Sequence, residues 1–179
     1  MPADRLSRET LLPRLAAHVL DHGLAGASLR PLARAAGTSD RMLIYHFGSK
    51  DGLVKALLEH VAAMYSAALD MAYPSDPATS RRECAQRLLA IGRAPMFAPF
   101  LRLWWEIVAG AARGDRAYRE SAAAMMDSQL AWFAAHLPPG DPDPKSGAKM
   151  VALAVEGALM MDALGLAEIG EAGLAALEG

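Results

Sequence analysis

Residues 28–53, SLRPLARAAGTSDRMLIYHFGSKDGL, constrain this chain's fold more than any other stretch. Ser28 is placed to cap a helix whose first turn tolerates Pro31, because the missing N–H there has no helical partner to lose. Leu29, Leu32, Ala33 and Ala36 then share one face, and Gly37 supplies the left-handed residue that ends the segment. Thr38 or Ser39 caps a second short helix, with Leu43 and Phe47 turned to the core. Ser49 caps the start of a longer helix. The pattern is a helix-turn-helix followed by a third, extended element.

The rest of the chain is helical as well. Ala, Leu, Met, Arg and Glu dominate, and no run of alternating β-branched residues is long enough for a strand. Turn signals at Gly23 with Gly26, Gly37, Gly48, 73–77, Pro95 with Pro99, Gly114-Asp115, 138–144 and Gly165 divide the chain into about nine helices. An all-α fold is therefore expected. The first helix covers about 8–22, with Leu12, Leu15 and Val19 spaced toward a core. Pro13 is awkward there, since a proline beyond the first turn costs roughly 3 kcal/mol, so the helix either starts near Thr10 or kinks. Further helices are expected at about 49–72, from the Ser80-x-x-Glu83 capping box, at 96–113, at 115–136 and at 144–164 with Asp143 as cap.

Charge is unevenly placed in a chain of net charge −2. Residues 1–60 hold eight Lys/Arg against six Asp/Glu, and the remainder holds ten against fourteen. A mildly basic N-terminal unit joined to an acidic remainder suits a nucleic-acid reader attached to something else. The single cysteine, Cys84, forms no internal disulfide and reads as a small buried apolar residue. The segment MPADRLSRETLL lacks the apolar stretch of a signal peptide, and 150–166, the most apolar run, contains Glu156 and Asp162. A cytoplasmic location is the expectation. His18, Asp21 and His22 have metal-ligand spacing but no indicated third ligand, so no metal and no cofactor are expected. No nucleophile–base pair or phosphate loop is present, and the chain reads as a non-enzyme.

On the third helix Ser39, Asp40, Arg41, Met42, Tyr45 and His46 face outward around the N-terminal half, as a recognition helix presents side chains to base edges and phosphates. Asp40 either accepts from a cytosine amine, pairs with Arg41, or serves as an early-turn acid favoured by the helix dipole. The backbone amides after Ser49, beside Lys50, form a phosphate clamp. Arg5 and Arg8 offer a loose basic arm before the first helix.

SLRPLARAAGTS…YHFGSKDGL resembles the DNA-binding domain of TetR-type transcriptional regulators over roughly residues 8–60. The resemblance implies an operator of double-stranded DNA. It places Arg30 at a base edge, Ser39, Asp40, Arg41 and Met42 at further base pairs, and Tyr45, His46 and Lys50, with Ser28 and Ser49, at phosphates. Arg41 and Ile44 depart from the family, in which many members have a small residue and a tyrosine there, so the operator does not follow from better-known relatives. Residues 1–50 are then the DNA-binding domain and 51–179 a helical ligand-binding and dimerisation domain.

Aromatic and Met-rich walls with few charges suit an apolar or aromatic effector. Phe97, Phe100, Leu101, Trp104, Trp105, Tyr118, Met125 and Met126 are its expected lining, with Arg102, Glu106 and Tyr118 as polar groups. Adjacent Trp104 and Trp105 point about 100° apart, so one packs inward and the other lines a cavity or an interface. Leu130, Phe133, Val151, Val155, Leu159 and Met160 lie on helices apolar on more than one face; the resemblance implies a homodimer, with these residues at its seam and Gly157 and Ala158 permitting close approach there. These features imply a ligand-responsive regulator, a repressor on a palindromic operator; the alternatives are an all-helical small-molecule binding protein and a TetR-like activator.

Overall fold

The computed structural model describes residues 7–24 and 28–177; Arg5 and Gly26 lie outside the described residues. Among these are nine α-helices and no strand: α1 (Arg8–His22), α2 (Leu29–Ala36), α3 (Asp40–Phe47), α4 (Lys50–Ala72), α5 (Arg81–Gly92), α6 (Ala98–Ala112), α7 (Arg116–Ala135), α8 (Pro144–Ala163) and α9 (Ala167–Ala175). A 3-10 turn, Pro95–Phe97, leads into α6, which therefore begins slightly later than the sequence pattern suggests. The chain forms two compact units, one of Met1–Tyr65 with Pro99–Met125 and one of Ser66–Ala98 with Met126–Gly179. No helix of the described residues is long and apolar enough to cross a membrane.

The first unit is assembled from pairs four residues apart, which share one helix face. Leu11, Leu15 and Val19 of α1 meet Leu32 and Ala36 of α2, Leu43 and Phe47 of α3, Leu53, Leu57 and Val61 of α4, and Leu103 and Ile107 of α6 in one core, none more than 5% exposed. Each fully buried leucine contributes about 1.5–3 kcal/mol from apolar burial. That outweighs the roughly 3 kcal/mol cost of Pro13, and α1 runs unbroken through it from Arg8. The start near Thr10 is thus corrected. Ser7 caps α1, and its reciprocal hydrogen bonds with Thr10 form a capping box that secures the first turn.

The turn between α2 and α3 is a Schellman motif. The Thr38 N–H donates to the Ala33 carbonyl at 2.9 Å and the Gly37 N–H to the Arg34 carbonyl at 3.1 Å, with Gly37 at φ +68°. Ser39, not Thr38, caps α3, accepting from the Met42 N–H at 3.3 Å. Ser49 accepts from the Gly52 N–H at 2.9 Å at the start of α4. Also within this unit, α6 reaches the end of α1: Glu106 accepts from the Leu24 N–H at 2.7 Å, and Arg102 donates to the Leu20 carbonyl at 3.3 Å.

The second unit packs α5 on α8 and α8 on α9. Cys84, Leu88 and Leu89 of α5, Phe133 of α7, Val151, Val155 and Leu159 of α8 and Leu174 of α9 are among its buried side chains. Arg93 at the end of α5 forms a fork with Asp162 at 2.7 and 2.8 Å and also reaches Glu171 at 3.1 Å, tying α5 to α8 and α9. Arg81 grips Asp141 through two hydrogen bonds at 2.7 and 2.6 Å. Ser80 accepts from the Glu83 N–H at 3.1 Å, but Glu83 turns back to Thr79 and not to the cap residue itself. Asp143 caps α8 with Pro144 in its first turn.

Candidate nucleic-acid interface

The helix-turn-helix stands on its buried faces, and this decides which side chains remain outside. Leu32, Ala33 and Ala36 orient α2, while Leu43 and Phe47 orient α3. The opposite faces carry Arg30, Arg41, Tyr45, Ser39 and Ser28, all exposed; Tyr45 retains 78% of its surface. Ser49 and Lys50, at the head of α4, are exposed too. Asp40, Met42 and His46 are half-buried. All ten residues expected at DNA belong to the first unit.

Their chemistry is open. Arg30, Arg41 and Lys50 form no hydrogen bond or ion pair among the described residues. Asp40 does not pair with Arg41; it stands in the first turn of α3, where an acid suits the positive end of the helix dipole. The Ser28 hydroxyl makes no capping hydrogen bond, although the residue occupies the cap position of α2. The Tyr45 ring meets His46 edge to face at 5.2 Å, which holds both against the last turn of α3. Ile44 is half-buried, with neither a wholly outward nor a wholly inward position. Three unpaired cations, free hydroxyls and a helix N-terminus on one motif are suited to phosphates and base edges.

Two fixing contacts escape the sequence pattern. Arg8 is not a loose arm. Its Nε donates to the His46 carbonyl at 2.6 Å and its guanidinium lies 5.4 Å from the centroid of Phe47. A cation on an orphan carbonyl at the C-terminal end of α3 satisfies the backbone and complements the helix dipole. Arg14 similarly donates to the Ala36 carbonyl at 3.3 Å, at the end of α2. Both pairings bridge residues far apart in sequence, so no local signal announces them. The Ser7-x-x-Thr10 spacing was the available clue to the first turn that carries Arg8.

The residues expected around an effector divide between the units. Phe100, Trp104, Tyr118 and Met125 pack against the first core, with Leu101 and half-buried Trp105 outside that cluster. Trp104 is thus the inward one of the tryptophan pair. Phe97, 1% exposed, and Met126 belong to the second unit. The residues expected at a subunit seam divide as well. Phe133, Val151, Val155 and Leu159 are at most 6% exposed within the subunit, so they have almost no surface left for a partner. Met160 and half-buried Leu130 do; Leu153 and Met160 on α8, with Leu164 just past its end, form an exposed apolar row. His18 and His22 stack at 4.4 Å, and no group of three potential metal ligands forms among the described residues.

Residues 15–57 match the family model of bacterial regulatory proteins of the tetR family. A stretch of 86 residues is 34% identical to the HTH-type transcriptional repressor NicS of Pseudomonas putida, covering 45% of this chain and 39% of that protein. The chain thus matches about two-fifths of that curated relative's length. In fold, the structure of a TetR-family transcriptional regulator from Rhodococcus sp. superposes with a TM-score of 0.70 at 23% identity, covering 93% of both chains. The multidrug binding protein EbrR, crystallised with imidazole, superposes with a TM-score of 0.62 at 26% identity, covering 88% of this chain and 79% of that one.

Proposed function

Because the chain belongs, through its N-terminal domain, to the bacterial regulatory proteins of the tetR family, we propose that it is a ligand-responsive transcriptional repressor. It binds a palindromic operator as a homodimer and is released by a small apolar or aromatic effector. Residues 1–50 read DNA, and 51–179 hold the effector and the partner copy. The observation that carries this reading is the set of exposed side chains around the helix-turn-helix: Arg30, Arg41 and Lys50, which form no ion pair or hydrogen bond among the described residues, and Tyr45. Arg30 and Arg41, with Ser39, Asp40 and Met42, read base pairs; Tyr45, His46, Lys50, Ser28 and Ser49 hold phosphates. Similarity to a repressor and to a multidrug binding protein supports the regulatory and effector parts.

Of the residues expected around the effector, Phe100, Leu101, Trp104, Trp105, Tyr118 and Met125 share one unit and are the lining this reading keeps; Phe97 and Met126 fall in the other unit. Pairing of two copies is supported by the exposed row Leu153, Met160 and Leu164. A two-fold dimer presents its recognition helices about 34–36 Å apart, one turn of DNA, or a multiple of it. The effector lowers affinity by preferring the form whose recognition helices are wrongly spaced.

The test is binding to a duplex selected from a random library and to random duplex, across a salt series. Arg30→Ala and Arg41→Ala should weaken the selected site more than random DNA, each by about 1–3 kcal/mol of discrimination. Lys50→Ala should weaken both and make the salt dependence shallower by about one contact. Equal losses on both duplexes for all three variants refute the division into base readers and phosphate holders. A salt-independent chain that ignores DNA even at low salt refutes the regulator altogether.

A further inference from the structure

Arg102 and Glu106 stand one turn apart on α6, the spacing at which opposite charges on a helix close on each other. Here they do not. No ion pair joins them among the described residues; each is turned instead to the end of α1. Arg102 spends one Nη on the Leu20 carbonyl, and Glu106 spends Oε2 on the Leu24 N–H. Glu106 Oε1 lies over Gly23, in the space a side chain there would occupy. It accepts no hydrogen bond from the described residues, and the other guanidinium nitrogens of Arg102 donate none.

Between these groups is a cavity of about 220 Å³, lying wholly within the first unit. Leu20, Leu103 and Pro99 give it apolar walls, and Asp21 and His22 stand at its rim. Its volume is below the roughly 300–1,000 Å³ of sites for drug-sized molecules, so its occupant is small. A simple anion would meet Asp21 and Glu106, and a simple cation would meet Arg102. Only a molecule carrying both charges finds a partner for each.

We propose that this cavity is a binding site for a small zwitterion of amino-acid size, its ammonium on Glu106 Oε1 and its carboxylate on Arg102. Arg102 and Glu106, expected from the sequence as polar groups of the effector site, are here assigned to this smaller cavity instead, and the assignment does not rest on the regulator reading. The occupant completes an ion pair that α6 leaves open and links α6 to the end of α1. The chain therefore melts higher when it is bound.

Isothermal titration calorimetry and thermal melting of the full chain test this with glycine, β-alanine and γ-aminobutyrate, which differ in charge separation. Propylamine and propionate are the singly charged controls. At least one zwitterion should bind about tenfold more tightly than either control and raise the melting temperature. Glu106→Gln, which keeps an acceptor for the Leu24 N–H, and Arg102→Gln should each weaken it about tenfold, while Arg102→Lys retains most of the binding. If Glu106→Gln melts early, the Arg102 pair, altered at an exposed side chain, carries the comparison. The proposal is overturned if no zwitterion binds below about 10 mM, if the controls bind equally well, or if Arg102→Gln binds like the parent chain.

Discussion

Arg8→Ala separates a side chain that positions the recognition helix from one that merely touches DNA. The substitution removes the hydrogen bond from Nε to the His46 carbonyl and the guanidinium from over the Phe47 ring. Arg8 is exposed, so water competes for both contacts. A solvent-exposed charged contact is worth about 0.2–1 kcal/mol, and an exposed cation–π contact about 0.5–1 kcal/mol. Together they amount to about 1–2 kcal/mol. At about 2–4 °C per kcal/mol for a chain of this size, the melting temperature should fall by about 2–8 °C. Leu43 and Phe47 stay buried, so α3 remains docked while its last turn, carrying Tyr45 and His46, loosens. If about half of the lost energy must be recovered on docking, operator affinity falls about two- to fivefold. Scanning fluorimetry and fluorescence anisotropy over a salt series read both effects. With Arg8 as a pin, the salt slope is unchanged. An unaltered melting temperature together with a slope shallower by about one would refute the reasoning and restore Arg8 as a phosphate arm.

Three further outcomes are expected. Gly110→Ala should lower the melting temperature, because the Tyr118 ring lies where the new Cβ must go, whereas Gly157→Ala, with no atom within 4 Å, should stabilise the isolated subunit by up to about 1 kcal/mol. Sedimentation equilibrium on Gly157→Ala then asks whether that open space is used by a second copy, in which case the dimer weakens. The Arg93 guanidinium holds the Asp162 carboxyl below its ordinary value. The pair's stabilisation is thus present above about pH 4 and is lost as pH falls through the lower folded value, so Asp162→Asn should flatten the acid limb of a urea-midpoint profile. Cys84 is fully buried, burial pushes its thiol pKa up, and it takes the Tyr73 hydroxyl at 3.4 Å. Iodoacetamide should label it quickly in urea and hardly at all in the native chain, and rapid native labelling would contradict its burial.

What was legible in the sequence is what short-range physics dictates. Leu15 and Val19, or Leu43 and Phe47, mark a buried face because a helix repeats at that spacing whatever it meets; on α1 the third member is Leu11, fully buried, and not the expected Leu12, which is only partly buried against the same core. Ser39, Ser49, Ser80 and Asp143 cap helices through atoms three residues away. Gly37 ends α2 because a left-handed residue is required there. Contacts that depend on distant chain segments left no such trace. Nothing near Arg8 points to His46, and nothing near Leu24 points to Glu106. The inner face of α8 was equally hidden. Val151, Val155 and Leu159 differ little in character from Leu153, Met160 and Leu164, and only packing on α5 and α9 decides which row is spent inside the subunit. Pro13 shows the reverse case, in which a firm local rule gives way to the burial of its neighbours.

The open chemistry of Arg30, Arg41, Tyr45 and Lys50 has a consequence for how such a chain can diverge. Arg30, Arg41 and Lys50 make no hydrogen bond or ion pair among the described residues and Tyr45 touches only His46, whereas Arg8 and Arg14 are spent on the carbonyls of His46 and Ala36 and the leucines are buried. If these side chains read DNA as proposed, the outward residues can be exchanged while the buried residues that hold the motif are untouched. Substitutions at the outward positions therefore explore new target sequences at little cost in stability, so affinity for a new site can be selected before any compensating change in the core is required. The same separation makes this unit a suitable starting point for libraries that retarget it, randomised at positions 30, 41 and 45 with the remainder held fixed.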